Sequence, residues 1–143
     1  MSITQAVCNS FKQQLLDGIH DFESGGDVFK LALYSSAANL SAATTVYSST
    51  NEVTGTGGSY SLGGGTLASQ QTSLDGSVAI VNFANLSFTG VTLTARGALI
   101  YNDTESDKAV AVLDFGADKT ATSGTFTIQF PAFTSAAAIL RIA

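Results

Sequence analysis

The chain has 143 residues, of which 45% are hydrophobic and 12% charged, and its formal net charge at pH 7 is −5. That length fits one domain with a proper hydrophobic core, and the apolar share excludes a disordered chain. Six scattered basic residues against eleven acidic ones argue against nucleic acid, whose affinity rests on Lys and Arg at phosphates, and against anionic lipid surfaces.

No apolar run reaches the roughly 20 residues needed to span a bilayer, and no basic segment leads into an apolar stretch as in a secretory signal. Cys8 is the lone cysteine. It rules out an intramolecular disulfide and a cysteine-based zinc site, and points to synthesis in a reducing cytoplasm. Charge is about half that of an ordinary soluble domain, so the polar surface falls to Ser and Thr, at 17 positions each. Such a surface does little to hold neighbours apart and suits a member of an assembly, although many monomeric β-sandwiches share it.

Taken in chain order, the first predicted element is a helix over about residues 3–19. Ile3, Val7, Phe11, Leu15 and Ile19 recur every fourth residue, with Gln13, Gln14 and Asp17 off that stripe. Ser2 or Thr4 could start it, and Gly18 or Gly25-Gly26 could stop it. It either covers an edge or face of the sheet or serves as an arm docking on a partner. Residues 28–34 alternate as a strand. From 35 to 72 periodicity fades among clustered glycines, and short strands with tight turns are expected there.

After the Asp75-Gly76 turn, strands are predicted over 78–83, 91–101, 108–115, 125–130 and 137–142. Residues 102–107 and 116–123 read as polar separators. The third of these strands is apolar on both sides and should be central. Pro131 sits just past a strand, where its missing N–H breaks no ladder bond. The predicted fold class is all-β: an antiparallel β-sandwich or jelly roll with one N-terminal α-helix, in a single domain over 1–143.

The chemistry-bearing patterns are weak. A phosphate loop needs a preceding strand, a following helix and a Lys-Ser/Thr pair. The run from Gly55 to Gly65 is followed by Thr66-Leu67 with no lysine nearby, and it reads as turns and a flexible surface loop. Asp103, Glu105 and Asp107 alternate as Ca²⁺ ligands can, but without the glycine and distal glutamate of an EF-hand they read as a solvated turn. His20 is the only histidine, expected at the helix end and partly exposed toward the helix dipole. No nucleophile elbow partners it, and Cys8 on the same predicted helix is poorly placed to do so. Asn39, Asn85 and Asn102 open glycosylation-like triplets that read as chance matches. Arg96-Gly97 inside an apolar strand implies a bulge or close backbone approach, with the arginine seeking solvent, a carboxylate or a neighbouring subunit. No catalytic residue, cofactor or metal is expected, and the chain reads as a non-enzyme.

Six segments together resemble a group of small virion proteins of tailed bacteriophages. They are Phe11-Lys with Leu15-Leu-Asp-Gly-Ile-His-Asp-Phe22, Phe29-Lys-Leu-Ala-Leu-Tyr34, Tyr47-Ser-Ser-Thr-Asn-Glu-Val53, Thr94-Ala-Arg-Gly-Ala-Leu-Ile-Tyr-Asn102, Ala109-Val-Ala-Val-Leu-Asp-Phe-Gly116 and Ala138-Ile-Leu-Arg-Ile142. The Gly63-Gly-Gly65 run is more glycine-rich than that pattern. The resemblance implies a capsid cement or decoration protein, a β-sandwich or jelly roll bound outside the shell. Its partners would be the major capsid protein and itself, as a homodimer or homotrimer. A tail or baseplate component is the alternative, and a carbohydrate-binding module, suggested by Tyr60 and the glycine loops, a further one. Contact surfaces are expected on the helix (Phe11, Leu15), in the 47–67 region (Tyr47, Asn51, Glu52, Tyr60) and at Arg96.

Overall fold

The computed structural model describes residues 2–54 and 57–143. Two antiparallel sheets and one short helix make an all-β sandwich. The elements are β1 (Ala6–Val7), α1 (Asn9–Leu16), β2 (Phe29–Tyr34), β3 (Gly65–Thr66), β4 (Gln71–Asp75), β5 (Val78–Asn82), β6 (Leu86–Asn102), β7 (Lys108–Ile128) and β8 (Leu140–Ile142). The larger sheet runs β1-β7-β6-β2-β3 and the smaller β4-β5-β8.

The helix is shorter than its stripe predicts. Ile3 bridges to Leu40, and Ala6 and Val7 pair with Val112 and Ala111 on β7, so the first turns of the predicted helix are extended. A spacing of four is also a multiple of two, and Ile3 and Val7 satisfy a strand as readily as a helix. What remains, Asn9–Leu16, buries Phe11 at 4% exposure; that ring contributes about 2–3 kcal/mol of burial.

β6 and β7 form a long hairpin in which Asn102 pairs with Lys108 and Leu86 with Ile128. Its turn is closed by the Asn102 side chain, whose Oδ1 accepts the N–H groups of Thr104 and Glu105 at 3.1 and 3.2 Å. The predicted separator at 116–123 lies inside β7. Residues 115–118 bulge opposite Arg96, between the pairs Ala95–Lys119 and Gly97–Asp114, after which Thr120 and Ala121 rejoin the ladder. Polarity there reflects a solvent-facing strand rather than a loop. Beside the same irregularity, a Cβ on Gly97 would lie 2.5 Å from the Leu113 carbonyl and about 3 Å from Ile3, so the close approach inferred from Arg96-Gly97 is real.

The core lies between the sheets and under α1. Leu31, Leu33, Leu99, Val110 and Val112 are wholly buried on β2, β6 and β7. Beside them Phe22 stacks on Phe29 at 4.3 Å, and Phe83 bridges Phe29 to Phe130. The first half of β7 is flanked on both sides, as its two apolar faces imply. No helix among the described residues is long and apolar enough to cross a membrane.

Candidate functional site

A grouping of polar side chains is built around Glu52. This residue follows a tight turn at Asn51 (φ 62°) and bridges to Tyr34 at the end of β2. Its carboxylate is buried, at 5% exposure. Oε1 accepts the Tyr47 hydroxyl at 2.5 Å; Oε2 accepts the Tyr60 hydroxyl at 2.6 Å and the Gly63 N–H at 2.8 Å. Charge-assisted donors of this number are what a buried carboxylate requires.

The other two tyrosines complete the cluster. Tyr101 donates to the Gly63 carbonyl at 2.6 Å and stacks on Tyr47 at 4.7 Å, while Tyr34 donates to the Ser48 carbonyl at 2.7 Å. Tyr60 also accepts the Leu33 N–H at 2.9 Å and packs edge-on against Phe88. Burial pushes all four phenols above their ordinary pKa of 10, and the Glu52 carboxylate pushes each further up. They are held as neutral donors rather than poised as acids or nucleophiles.

Three of the sequence-predicted contact residues, Tyr47, Glu52 and Tyr60, thus meet at one point, with Asn51 exposed beside them and its amide donating to the Ala37 carbonyl at 3.1 Å. Glu52 and Tyr60 are buried, so they fasten the 47–67 region to the sheet instead of presenting surface. Tyr60 shows no face on which a sugar could stack. The glycine run serves the same fastening. Gly63 spends its N–H on Glu52, and Gly64 (φ 81°) crosses β2 so closely that a Cβ would strike the Leu31 carbonyl. Gly55 lies outside the described residues.

Phe11 is likewise interior, beneath α1, with Leu15 half-buried; the exposed apolar residue of the helix is Leu16, at 90% exposure. Arg96 finds its carboxylate within the chain, Nε to Asp114 Oδ1 at 3.3 Å. His20 is not the exposed helix-end residue that its position implies. It is buried, 4.8 Å from the Phe11 ring and hydrogen-bonded to Gln14 and Asn102, because the chain folds back under α1 after Gly18. Cys8 caps the other end of α1, fully buried, and burial lifts its thiol to about 11. Asp103 pairs with Lys30 at 3.8 Å, and no metal-holding group of His, Cys, Asp and Glu forms among the described residues.

The surface feature that sequence patterns did not signal lies along β7. Beyond its short pairing with β1, the second half of this strand has β6 on one side and, among the described residues, no strand on the other. A groove of about 530 Å³ lies against this half of the strand, lined by Phe115, Phe126, Ile128, Phe130 and Ile139 together with Lys119 and Thr127. Phe115 reaches it from the bulge, 6.1 Å from Phe126. The only sequence trace of this arrangement was the Thr/Phe alternation at 125–130.

Comparison with protein-family models, with curated proteins and with solved structures yields no match.

Proposed function

We propose that the chain is a non-enzymatic structural protein of a tailed-phage virion, a cement or decoration protein that binds the outside of the capsid shell and stabilises it. The observation that carries this reading is how the fold divides its side chains between interior and surface. Cys8, His20, Glu52 and the tyrosines are engaged in internal packing or hydrogen bonds, and all but the half-buried Tyr47 are buried. The surface instead offers Ser/Thr-rich strands, an open strand edge and an apolar groove beside it. An open edge and a groove provide backbone hydrogen bonds and apolar burial together, which serves adhesion to another protein.

Cement proteins act by burying surface across boundaries between capsid subunits. Each contact need reach only a standard interface of roughly 1,600 Å² when symmetry repeats it many times. The major capsid protein is the partner, self-association as a homodimer or homotrimer accompanies it, and the sequence resemblance supports both.

The test is genetic. Particles lacking the protein should release DNA at a lower temperature than complete ones; unchanged thermal release sinks the proposal. Mass spectrometry of separated heads and tails carries the complementary result, since recovery with tails alone would assign the chain to a tail or baseplate.

A further inference from the structure

One imidazole joins the helix to the tip of the β6–β7 hairpin. His20 Nε2 lies 2.9 Å from Gln14 Oε1 on α1, and Nδ1 lies 3.0 Å from Asn102 Nδ2 at the end of β6. Asn102 cannot turn its amide around. Its Oδ1 accepts the Thr104 and Glu105 N–H groups that shape the turn, and its Nδ2 also donates to Asp27 Oδ2 at 2.9 Å. An amide so pinned offers His20 only an N–H. Nδ1 is therefore the acceptor, and the ring hydrogen sits on Nε2, donated to Gln14.

We infer that His20 is an acid-sensitive latch: a proton on Nδ1 sets donor against donor at Asn102 and unfastens the α1 segment from the hairpin turn. Asn102 can relieve the conflict only by abandoning Thr104 and Glu105, or by swinging away from Asp27. The turn is also tied to the 21–28 segment, with the Val28 N–H on Thr104 Oγ1 at 2.8 Å and the Asp103 N–H on the Val28 carbonyl at 2.9 Å. Release at Asn102 thus loosens three segments together.

The charged groups facing the imidazole come from two directions. Asp27 on the 21–28 segment attracts a proton to it, and Lys108 on β7 repels one. The helix contributes the uncharged Phe11 and Gln14, and β2 the Phe29 ring. Burial outweighs these charges and holds the pKa below the ordinary 6.5. A folded-state pKa below the unfolded one means that the unfolded chain takes up the proton first. The joint is therefore fully stabilising above pH 6.5 and weakens as the pH falls through the folded pKa of His20.

The experiment is amide hydrogen exchange at Thr104 and Glu105, as protection factors corrected for the intrinsic pH dependence, alongside an NMR titration of His20. Protection should fall at least about tenfold as His20 takes up its proton. In His20→Phe, whose ring stays among Phe11 and Phe22 but cannot titrate, protection should be flat over the same range. In Asn102→Asp a carboxylate would accept from protonated Nδ1, so the His20 midpoint should rise. Wild-type protection that ignores the His20 titration overturns the inference, as does a fall that persists in His20→Phe. Should that variant fail to fold, an unchanged or lowered His20 midpoint in Asn102→Asp overturns it equally.

Discussion

Truncating Glu52 removes the acceptor of the Tyr47 and Tyr60 hydroxyls and of the Gly63 amide, of which Tyr60 is buried and the other two are half-buried. Each buried donor left unpaired costs about 1–3 kcal/mol, so Glu52→Ala should lower unfolding free energy by about 3–5 kcal/mol, read from urea denaturation. Glu52→Gln keeps the volume but turns one acceptor into a donor aimed at another donor, and should cost less, about 2 kcal/mol. Near-equal stability of all three proteins would mean that the carboxylate does not organise the loop. The tyrosines give a second residue-scale expectation. Their folded pKa values are raised above 10, mainly by burial, so the folded chain keeps protons that the unfolded chain releases. The stability they contribute is complete below pH 10 and declines as pH rises beyond it. Tyrosinate absorbance should accordingly appear together with the loss of circular dichroism, not before it.

Among the elements, the β6–β7 hairpin depends on the contact at Gly97. A methyl group there would press on the Leu113 carbonyl and on Ile3, which is itself held in place by its bridge to Leu40. Gly97→Ala should therefore destabilise by about 1–3 kcal/mol, the usual range for overpacking, and a thermal melt would show it. A neutral result would mean that the N-terminal segment yields freely. The glycine was informative in the sequence because its neighbours are apolar strand residues, so a missing side chain had to mean proximity. Strand-length apolar runs bounded by turn residues, such as Phe29–Tyr34 and Val78–Asn82, are legible for a similarly local reason. The helix reads too long in sequence because Ile3 and Val7 fit two periods at once. The stretch 116–123 reads as a loop in sequence because a solvent-facing edge strand carries loop-like polar residues. Least legible was the Glu52 cluster. It joins Tyr47 and Tyr60, on either side of Glu52 in one irregular stretch, to Tyr34 on β2 and Tyr101 on β6, and no spacing rule encodes a meeting set by sheet register.

At the scale of the whole molecule, the scarcity of charge says how it should hold a partner. Only 12% of residues are charged, and the β7 groove counts Lys119 and Asp114 as its charged lining, the latter already paired with Arg96. Steering by long-range fields is therefore weak, and contact must draw on apolar burial and the free strand edge. Charge–charge contacts weaken as the screening length falls from about 10 Å at 0.1 M salt toward 3 Å at 1 M, whereas apolar burial does not. Binding to particles stripped of the protein should thus change by less than about twofold over that salt range. Phe115→Glu, which puts a carboxylate into the groove, should weaken the same binding by at least about tenfold, or about 1.4 kcal/mol. Leu74→Glu, at an exposed site on the smaller sheet, serves as the control and should leave binding unchanged. A steep loss of binding with salt, or equal effects of the two substitutions, would mean that adhesion runs through charges elsewhere on the surface and not along the β7 edge.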